Sequence, residues 1–282
     1  MSPVAPRLIE NGHVAVKQCR HGLFAYNVND VFIGRSLDQY GEWSESELAI
    51  LFQILQPGGI VLDVGANVGT HTVAFAKRVT ATGLVIAFEP QRLTYQLLCA
   101  NVALNALVNV HCHNVAASDR PGELRIPVLN PSQRTNFGAV KAEGHEQGRR
   151  VDAIRIDDLG LPRCNLIKID VEGMEPRVLA GASRIIARHR PVLFVENNRE
   201  EHSAPLLAVL RELDYNAWWH IAPYYNPRNY FANDEDVFPN HYPEANVLCF
   251  PKGSTVNINL WPVEGTDDTF IKALRRHSGV SS

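Results

Sequence analysis

Acidic residues that close β-prone runs, one of them followed by a glycine turn, are the part of this 282-residue chain best suited to chemistry. Ile60-Val61-Leu62-Asp63-Val64-Gly65-Ala66-Asn67-Val68-Gly69-Thr70 reads as a buried strand entering a tight turn, and Glu89 ends the next strand some two dozen residues on. Glycine lets backbone approach a ligand because it has no Cβ and accepts positive φ. An acid ending the second strand can accept hydrogen bonds from a ribose diol. A dinucleotide fingerprint needs Gly-x-Gly-x-x-Gly, and here Asn67 and Thr70 stand at its second and third glycine positions, which disfavours a pyrophosphate. A nucleoside ligand without phosphates remains, and S-adenosylmethionine fits that description.

In this reading Asp63 orients the ammonium of the methionine part through charge-assisted hydrogen bonds. The N–H groups of Gly65 and Gly69 cradle its carboxylate, beside the positive end of a helix beginning at Thr70. Asn67 replaces glycine where the turn demands a left-handed conformation. Asn114, Val115 and Ala116 follow the third strand, where an adenine would lie. Asn114 either reads the adenine edge or simply forms a turn.

A second cluster is Leu166-Ile167-Lys168-Ile169-Asp170-Val171-Glu172-Gly173-Met174-Glu175. Its strand delivers Asp170 to the carboxyl edge of a sheet, where ligands of open α/β sheets bind. Asp170 and Glu172 could serve as general base toward a hydroxyl or hold a divalent cation; alternatively, Glu172 and Glu175 cap the following helix. Glu196, at the end of Leu193-Phe194-Val195-Glu196, brings a third acid to the same edge. His111 and His113 share a strand face, yet no third ligand stands near them, so no metal site is assigned. His71 opens the helix beside the cofactor turn.

These residues must be positioned by an alternating chain. Strands at 60–64, 84–88 and 109–114 are separated by helices at 70–79 and 93–105, a β-α-β order that enforces a parallel sheet. After a turn at 119–122, a strand at 123–128 and a polar loop at 129–149, alternation resumes. It continues with strand 166–170, helix 176–187, strand 192–196, helix 204–214 and a final strand at 246–250. Upstream, runs at 14–18, 23–28 and 31–34 read as a small antiparallel meander, and Ser44 with Glu47 forms a capping box for a helix whose apolar face is Leu48, Leu51, Phe52 and Leu55. The expected organisation is an N-terminal β extension or lid over residues 1–43 and a Rossmann-like domain over 44–282. The aromatic tract from Trp218 to Asn226 either lines an acceptor pocket or packs in the core.

Composition narrows the function. A 45% hydrophobic chain of this length can bury a full core, and a net charge of −3 gives no electrostatic footprint for nucleic acid. No run approaches the ~18 apolar residues of a membrane span, and the N-terminus lacks the apolar segment of a signal peptide, so a cytoplasmic protein is expected. Five scattered cysteines, none in C-x-x-C spacing, argue for reduced thiols. The residues leave room for a homo-oligomer without requiring one.

From about Asp30 to Phe250 the chain resembles the FkbM family of S-adenosylmethionine-dependent methyltransferases. The resemblance is carried by Val61-Leu62-Asp63-Val64-Gly65-Ala66-Asn67-Val68-Gly69, by Ala87-Phe88-Glu89-Pro90 and above all by Ile167-Lys168-Ile169-Asp170-Val171-Glu172-Gly173. Tyr40-Gly41-Glu42-Trp43 looks like the family's Gly-Glu-Tyr-Glu region, with Trp43 where tyrosine is usual and Ser44 where the acid would stand. The resemblance implies the class I methyltransferase fold, a mostly parallel seven-stranded sheet with helices on both faces and an antiparallel last strand. It also implies O-methylation of a small-molecule or glycan acceptor: a sugar, glycolipid or polyketide-type hydroxyl. Asp170 is then the base, with Glu172 and Glu196 orienting the acceptor. An N-methyltransferase of a small molecule and a non-catalytic cofactor-binding module are the alternatives.

Overall fold

Alternation of apolar and polar positions decides which side chains share a face of the central sheet. The computed structural model describes residues 5–140 and 145–278. The first strands, β1 (Ile9–Asn11), β2 (Val14–Cys19) and β3 (Gly22–Asn27), form an antiparallel sheet. Its inner face, with Ala15, Phe24 and Tyr26, packs on Leu37, Val68 and Val73. The expected third strand at 31–34 is instead the start of helix α1 (Ile33–Gln39). Asp30 causes this: its carboxylate accepts from the N–H groups of Phe32 and Gly34, which turns the chain into a helix. Helix α2 spans Glu45–Ile54.

The β-α-β core follows as expected: β4 (Ile60–Val64), α3 (Thr70–Val79), β5 (Leu84–Phe88), α4 (Arg92–Leu104) and β6 (Val110–His113). Three short strands, β7 (Ala116–Ala117), β8 (Gly122–Ile126) and β9 (Arg149–Ile154), make a separate small sheet. Then come β10 (Leu166–Ile169), α5 (Glu175–Gly181), α6 (Ser183–His189), β11 (Val192–Glu196), α7 (Glu200–Glu212), β12 (Tyr215–Ala222), β13 (Glu244–Pro251), β14 (Trp261–Pro262) and α8 (Phe270–Ser278). The helix expected at 176–187 is two, joined at Ala182.

The large sheet runs β14-β12-β13-β11-β10-β4-β5-β6. Six of these are the expected strands; β12, formed by the start of the aromatic tract and the residues before it, is a seventh, with β13 antiparallel between β11 and β12, and β14 adds a two-residue edge. Both faces are covered, which is why β5 reads as an unbroken apolar run and β4 and β10 as apolar runs broken only by Asp63 and Lys168. On one face Leu62, Ile86, Ile167 and Leu193 pack with α5, α6 and α7 residues such as Val178, Ile186 and Leu207. On the other, Val61, Val85, Leu166, Phe194 and Leu248 meet Leu51 of α2 and Phe75 of α3. That second face becomes polar at its carboxyl edge. Asp63 pairs in register with Lys168, and Glu196 with Asn246, each two residues beyond an apolar member of the same face. Among the described residues no helix is long and apolar enough to cross a membrane.

Candidate active site

The carboxyl ends of β4, β5, β10 and β11 open into one cleft with a cavity of about 260 Å³. A second cavity, of about 10 Å³ near Asn197, has room for one water at most. Gly65, Asn67, Thr70, Glu89 and Ala116 line the main cleft, as do Asp170, Glu172 and Glu196. Of the sequence-derived site residues, Asp63, Gly69 and Asn114 do not.

Gly65 anchors the cofactor turn. Its φ is +81°, and a Cβ there would stand 1.7 Å from the carbonyl oxygen of Asp170. Backbone from the two acidic motifs therefore touches at a point where only glycine fits. Asn67 takes the left-handed conformation expected of it, with φ +51°. Its N–H donates to Glu89 Oε2 at 2.9 Å, and that of Gln91 donates to Oε1 at 2.8 Å. Both oxygens of Glu89 are thus oriented by backbone, with lone pairs left for a diol. Burial pushes the Glu89 carboxyl up to about 7, the two N–H donors opposing the shift.

Three expected contacts are corrected. Asp63 is fully buried beneath the turn because the strand's alternation turns it toward α3, not toward the cleft. It accepts from Thr72 Oγ1 at 2.6 Å, and its other oxygen lies 3.9 Å from Lys168 Nζ. The N–H groups of Gly65 and Gly69 are spent inside the turn, on the carbonyls of Phe88 and Ala66, and cannot cradle a carboxylate. Asn114 spends its amide on the carbonyls of Glu89 and Pro90, at 2.8 and 3.0 Å, so that amide shapes the Glu89 loop and is not left to read a base.

The loop at 129–149 supplies part of the cleft wall through Asn136, Phe137, Gly138, Ala139 and Val140; residues 141–144 lie outside the described residues. It is tied down by Gln91 Nε2 donating to the Phe137 carbonyl at 2.7 Å, and by Asn27 and Asn29 donating to that of Pro131. Val64, Phe88, Val115, Ala117 and Met174 give the cleft an apolar middle. A nucleoside with a ribose at Glu89 suits this lining, and the glycine cradle leaves it space. His113 stacks on Phe88 with ring centroids 5.4 Å apart, so it packs and does not ligate.

At the other end Asp170, Glu172 and Glu196 place oxygens within 4.8 Å of one another, a spacing able to hold a divalent cation. The alternatives for this motif separate cleanly. Glu175 ties the turn, accepting from the N–H groups of Val171 and Gly173. Glu172, at φ +60°, is paired with Arg199 and caps nothing. Burial, with the Asp170 charge adding to it and Arg199 opposing, lifts Glu172 to about 7. Burial and the neighbouring carboxylates likewise lift Glu196. Asp170 is held by Lys168 Nζ at 3.1 Å. Burial works against that ammonium, yet Asp170, Asp63 and Glu47 outweigh it and keep it charged.

Sequence reasoning assigns no role to Lys168, Glu244 or Arg199, and to Glu47 only a helix cap. Lys168 was legible in principle, because it is two residues before Asp170 on the strand that pairs with Asp63. Glu47 had been placed in a capping box. That box does not form: Ser44, at φ +48°, donates instead to Glu244 Oε2 at 2.5 Å, while Asn246 Nδ2 donates to Glu47 Oε1 at 2.9 Å. The aromatic tract divides: Trp219 is core, whereas Tyr224 joins Phe32 and Trp43 on the cleft wall.

The family model described as Methyltransferase FkbM domain matches residues 63–217. Methyltransferase sdnD of Sordaria araneosa is 30% identical over 43% of this chain and 59% of its own length. Hexuronic acid methyltransferase AglP of Haloferax volcanii is 26% identical over 55% of this chain and 62% of its own. The chain spans under two thirds of the length of either relative. The crystal structure of methyltransferase FkbM from Methylobacillus flagellatus superposes with a TM-score of 0.44 and 18% identity, covering 72% of this chain and 50% of that one.

Proposed function

The chain belongs to the FkbM methyltransferase domain family, whose cofactor is S-adenosylmethionine, and from that premise we propose that it methylates a hydroxyl oxygen of a small-molecule or glycan acceptor. The observation that carries this reading is a cleft with Glu89 at one end and Asp170 at the other, the two motifs in backbone contact at Gly65. Bound cofactor supplies an electrophilic methyl group on a sulfonium. The protein's part is to hold the acceptor oxygen in line with it, which can contribute ~7 to 11 kcal/mol. Asp170 takes the hydroxyl proton as the oxygen attacks, adding roughly 10² to 10⁴ in rate. Glu172, fixed by Arg199, and Glu196 orient the acceptor. The aromatic wall of Phe32, Trp43 and Tyr224 offers apolar faces with polar tips, suited to a sugar ring or a polyketide. The hexuronic acid methyltransferase among the relatives supports a saccharide.

The test is transfer of isotopically labelled methyl from S-adenosylmethionine to a panel of saccharides, polyketide alcohols and amines, with products located by mass spectrometry. Label on oxygen that is lost in Asp170→Asn supports the reading. Label on nitrogen alone moves the chain to the N-methyltransferases, and cofactor binding without transfer to any acceptor marks a non-catalytic module.

A further inference from the structure

The displacement of Asp63 from the cleft leaves the cofactor's ammonium without the carboxylate that the sequence assigns to it. A charged amine taken into a pocket of this depth needs such a partner. The candidates are the carboxyls that line the cleft: Glu89, Asp170, Glu172, Glu196 and Glu244. Glu89 belongs to the ribose. Asp170 and Glu172 are already paired with Lys168 and Arg199, and Glu196 accepts from Asn198. Among the described residues no cation forms an ion pair with Glu244. It enters from β13 and lines the same cleft as Trp43, Thr70 and His71, the last two being the opening residues of the helix that follows the cofactor turn.

Resting on the cofactor assignment above, we infer that Glu244, backed by Glu47, is the seat of the ammonium group at the amino-acid end of S-adenosylmethionine. Its position is fixed from behind. Ser44 Oγ donates to one oxygen, Glu47 shares a hydrogen bond with it, and Asn246, two residues along the same strand face, secures Glu47. His71 completes the pocket. Its Nε2 is 3.0 Å from Glu47 Oε2 but out of line for a hydrogen bond, so the 95%-buried ring has an unpartnered nitrogen there. Burial and the Lys168 charge push His71 down to about 3, so the ring is neutral and adds no competing cation. Two carboxyls in hydrogen-bond contact cannot both be ionised without cost, and an arriving ammonium relieves that cost. Position 44, which carries serine where the resemblance expects an acid, thus receives its carboxyl from a strand 200 residues away.

The inference separates from the cofactor reading by the choice of ligand. Titrations of the full chain would use S-adenosylhomocysteine, its deaminated analogue, which retains the carboxylate, and 5′-methylthioadenosine, which lacks the whole amino-acid end. The wild type is expected to bind S-adenosylhomocysteine at least tenfold more tightly than the deaminated analogue. Glu244→Gln should lose that preference while binding 5′-methylthioadenosine as the wild type does. Equal affinity of wild type and Glu244→Gln for S-adenosylhomocysteine would overturn the assignment, as would an equal loss for 5′-methylthioadenosine. Should Glu244→Gln not fold, the wild type decides alone: no preference for the amine removes the ammonium seat. Failure of the wild type to bind any of the three ligands would instead defeat the cofactor reading itself.

Discussion

At the proposed cofactor end of the cleft Gly65, Asn67, Glu89 and Ala116 come from one stretch of chain, whereas at the proposed acceptor end Phe32, Trp43, Glu196 and Tyr224 come from segments spread over about 190 residues. The first end is built largely from backbone: positive-φ turns, N–H groups aimed at one carboxylate, and a glycine where a side chain would collide. The second is built from side chains that meet only after the sheet has formed. The family match, over 63–217, contains Gly65, Asn67, Glu89 and Ala116 and excludes Phe32, Trp43 and Tyr224. A cofactor site made of backbone tolerates little variation, while side chains from flanking segments can change one at a time and so can adapt the acceptor.

Gly65→Ala tests whether the two ends can fail separately. The added Cβ meets the Asp170 carbonyl at 1.7 Å, and positive φ alone costs a non-glycine residue about 1–3 kcal/mol. Loss of all measurable S-adenosylhomocysteine binding and a lowered melting temperature are expected together. Asp170→Asn is the complementary cut. Turnover should fall by roughly 10² to 10⁴ with cofactor affinity within a few fold of wild type, as titration beside steady-state kinetics would show. If affinity collapses too, Asp170 belongs to the cofactor end and the division proposed here is wrong.

The buried acids give the comparison a pH dependence. Glu47 and Glu89 titrate at about 7 in the folded chain against an ordinary 4.5, raised by burial. A raised acid binds its proton more tightly when folded, so the stability it contributes is complete below about pH 4.5 and is lost as pH rises through 7. Each ionised carboxyl then costs up to about 3 kcal/mol. The melting temperature of the ligand-free chain should therefore be lower at about pH 8 than at about pH 5, with Glu89→Gln and Glu47→Gln each flattening the curve. Added S-adenosylmethionine, bringing a sulfonium and an ammonium, should stabilise more at the higher pH. A flat profile in the wild type would show that these carboxyls are better solvated than the geometry implies.

The same contrast governs what was legible in the sequence. The order of strands and helices, the Asn67 turn and the approach of Glu89 to it are written in neighbouring residues, where glycine, strand ends and apolar runs have short-range consequences. Asp63 was misplaced because its residue type suggested a ligand contact while the period of the strand, two residues from Val61, placed it beneath α3. Ser44 and Glu47 satisfy a local capping pattern, yet Glu244 and Asn246 compete for the same side chains across some 200 residues of chain and win. Nothing within a short window around position 44 announces Glu244.

Asn114 offers the finest cut between the two ends, because its type suggested base recognition and its contacts show support. Its amide holds the Glu89 and Pro90 carbonyls, and Gln91, one residue on, both donates to Glu89 and pins the Phe137 loop. Asn114→Ala removes two neutral hydrogen bonds, worth about 1 kcal/mol each. Part of that will appear as stability and part as cofactor affinity, since the ordering of the Glu89 loop is lost before binding. A few-fold weakening toward S-adenosylhomocysteine is expected, with the same factor for an inosine-based analogue in which the adenine edge is altered. Base recognition through Asn114 would break that equality, because the wild type would then discriminate between the two nucleosides and the variant would not. Titration of both ligands against both proteins therefore decides whether the end of β6 reads the base or only shapes the loop that carries Glu89.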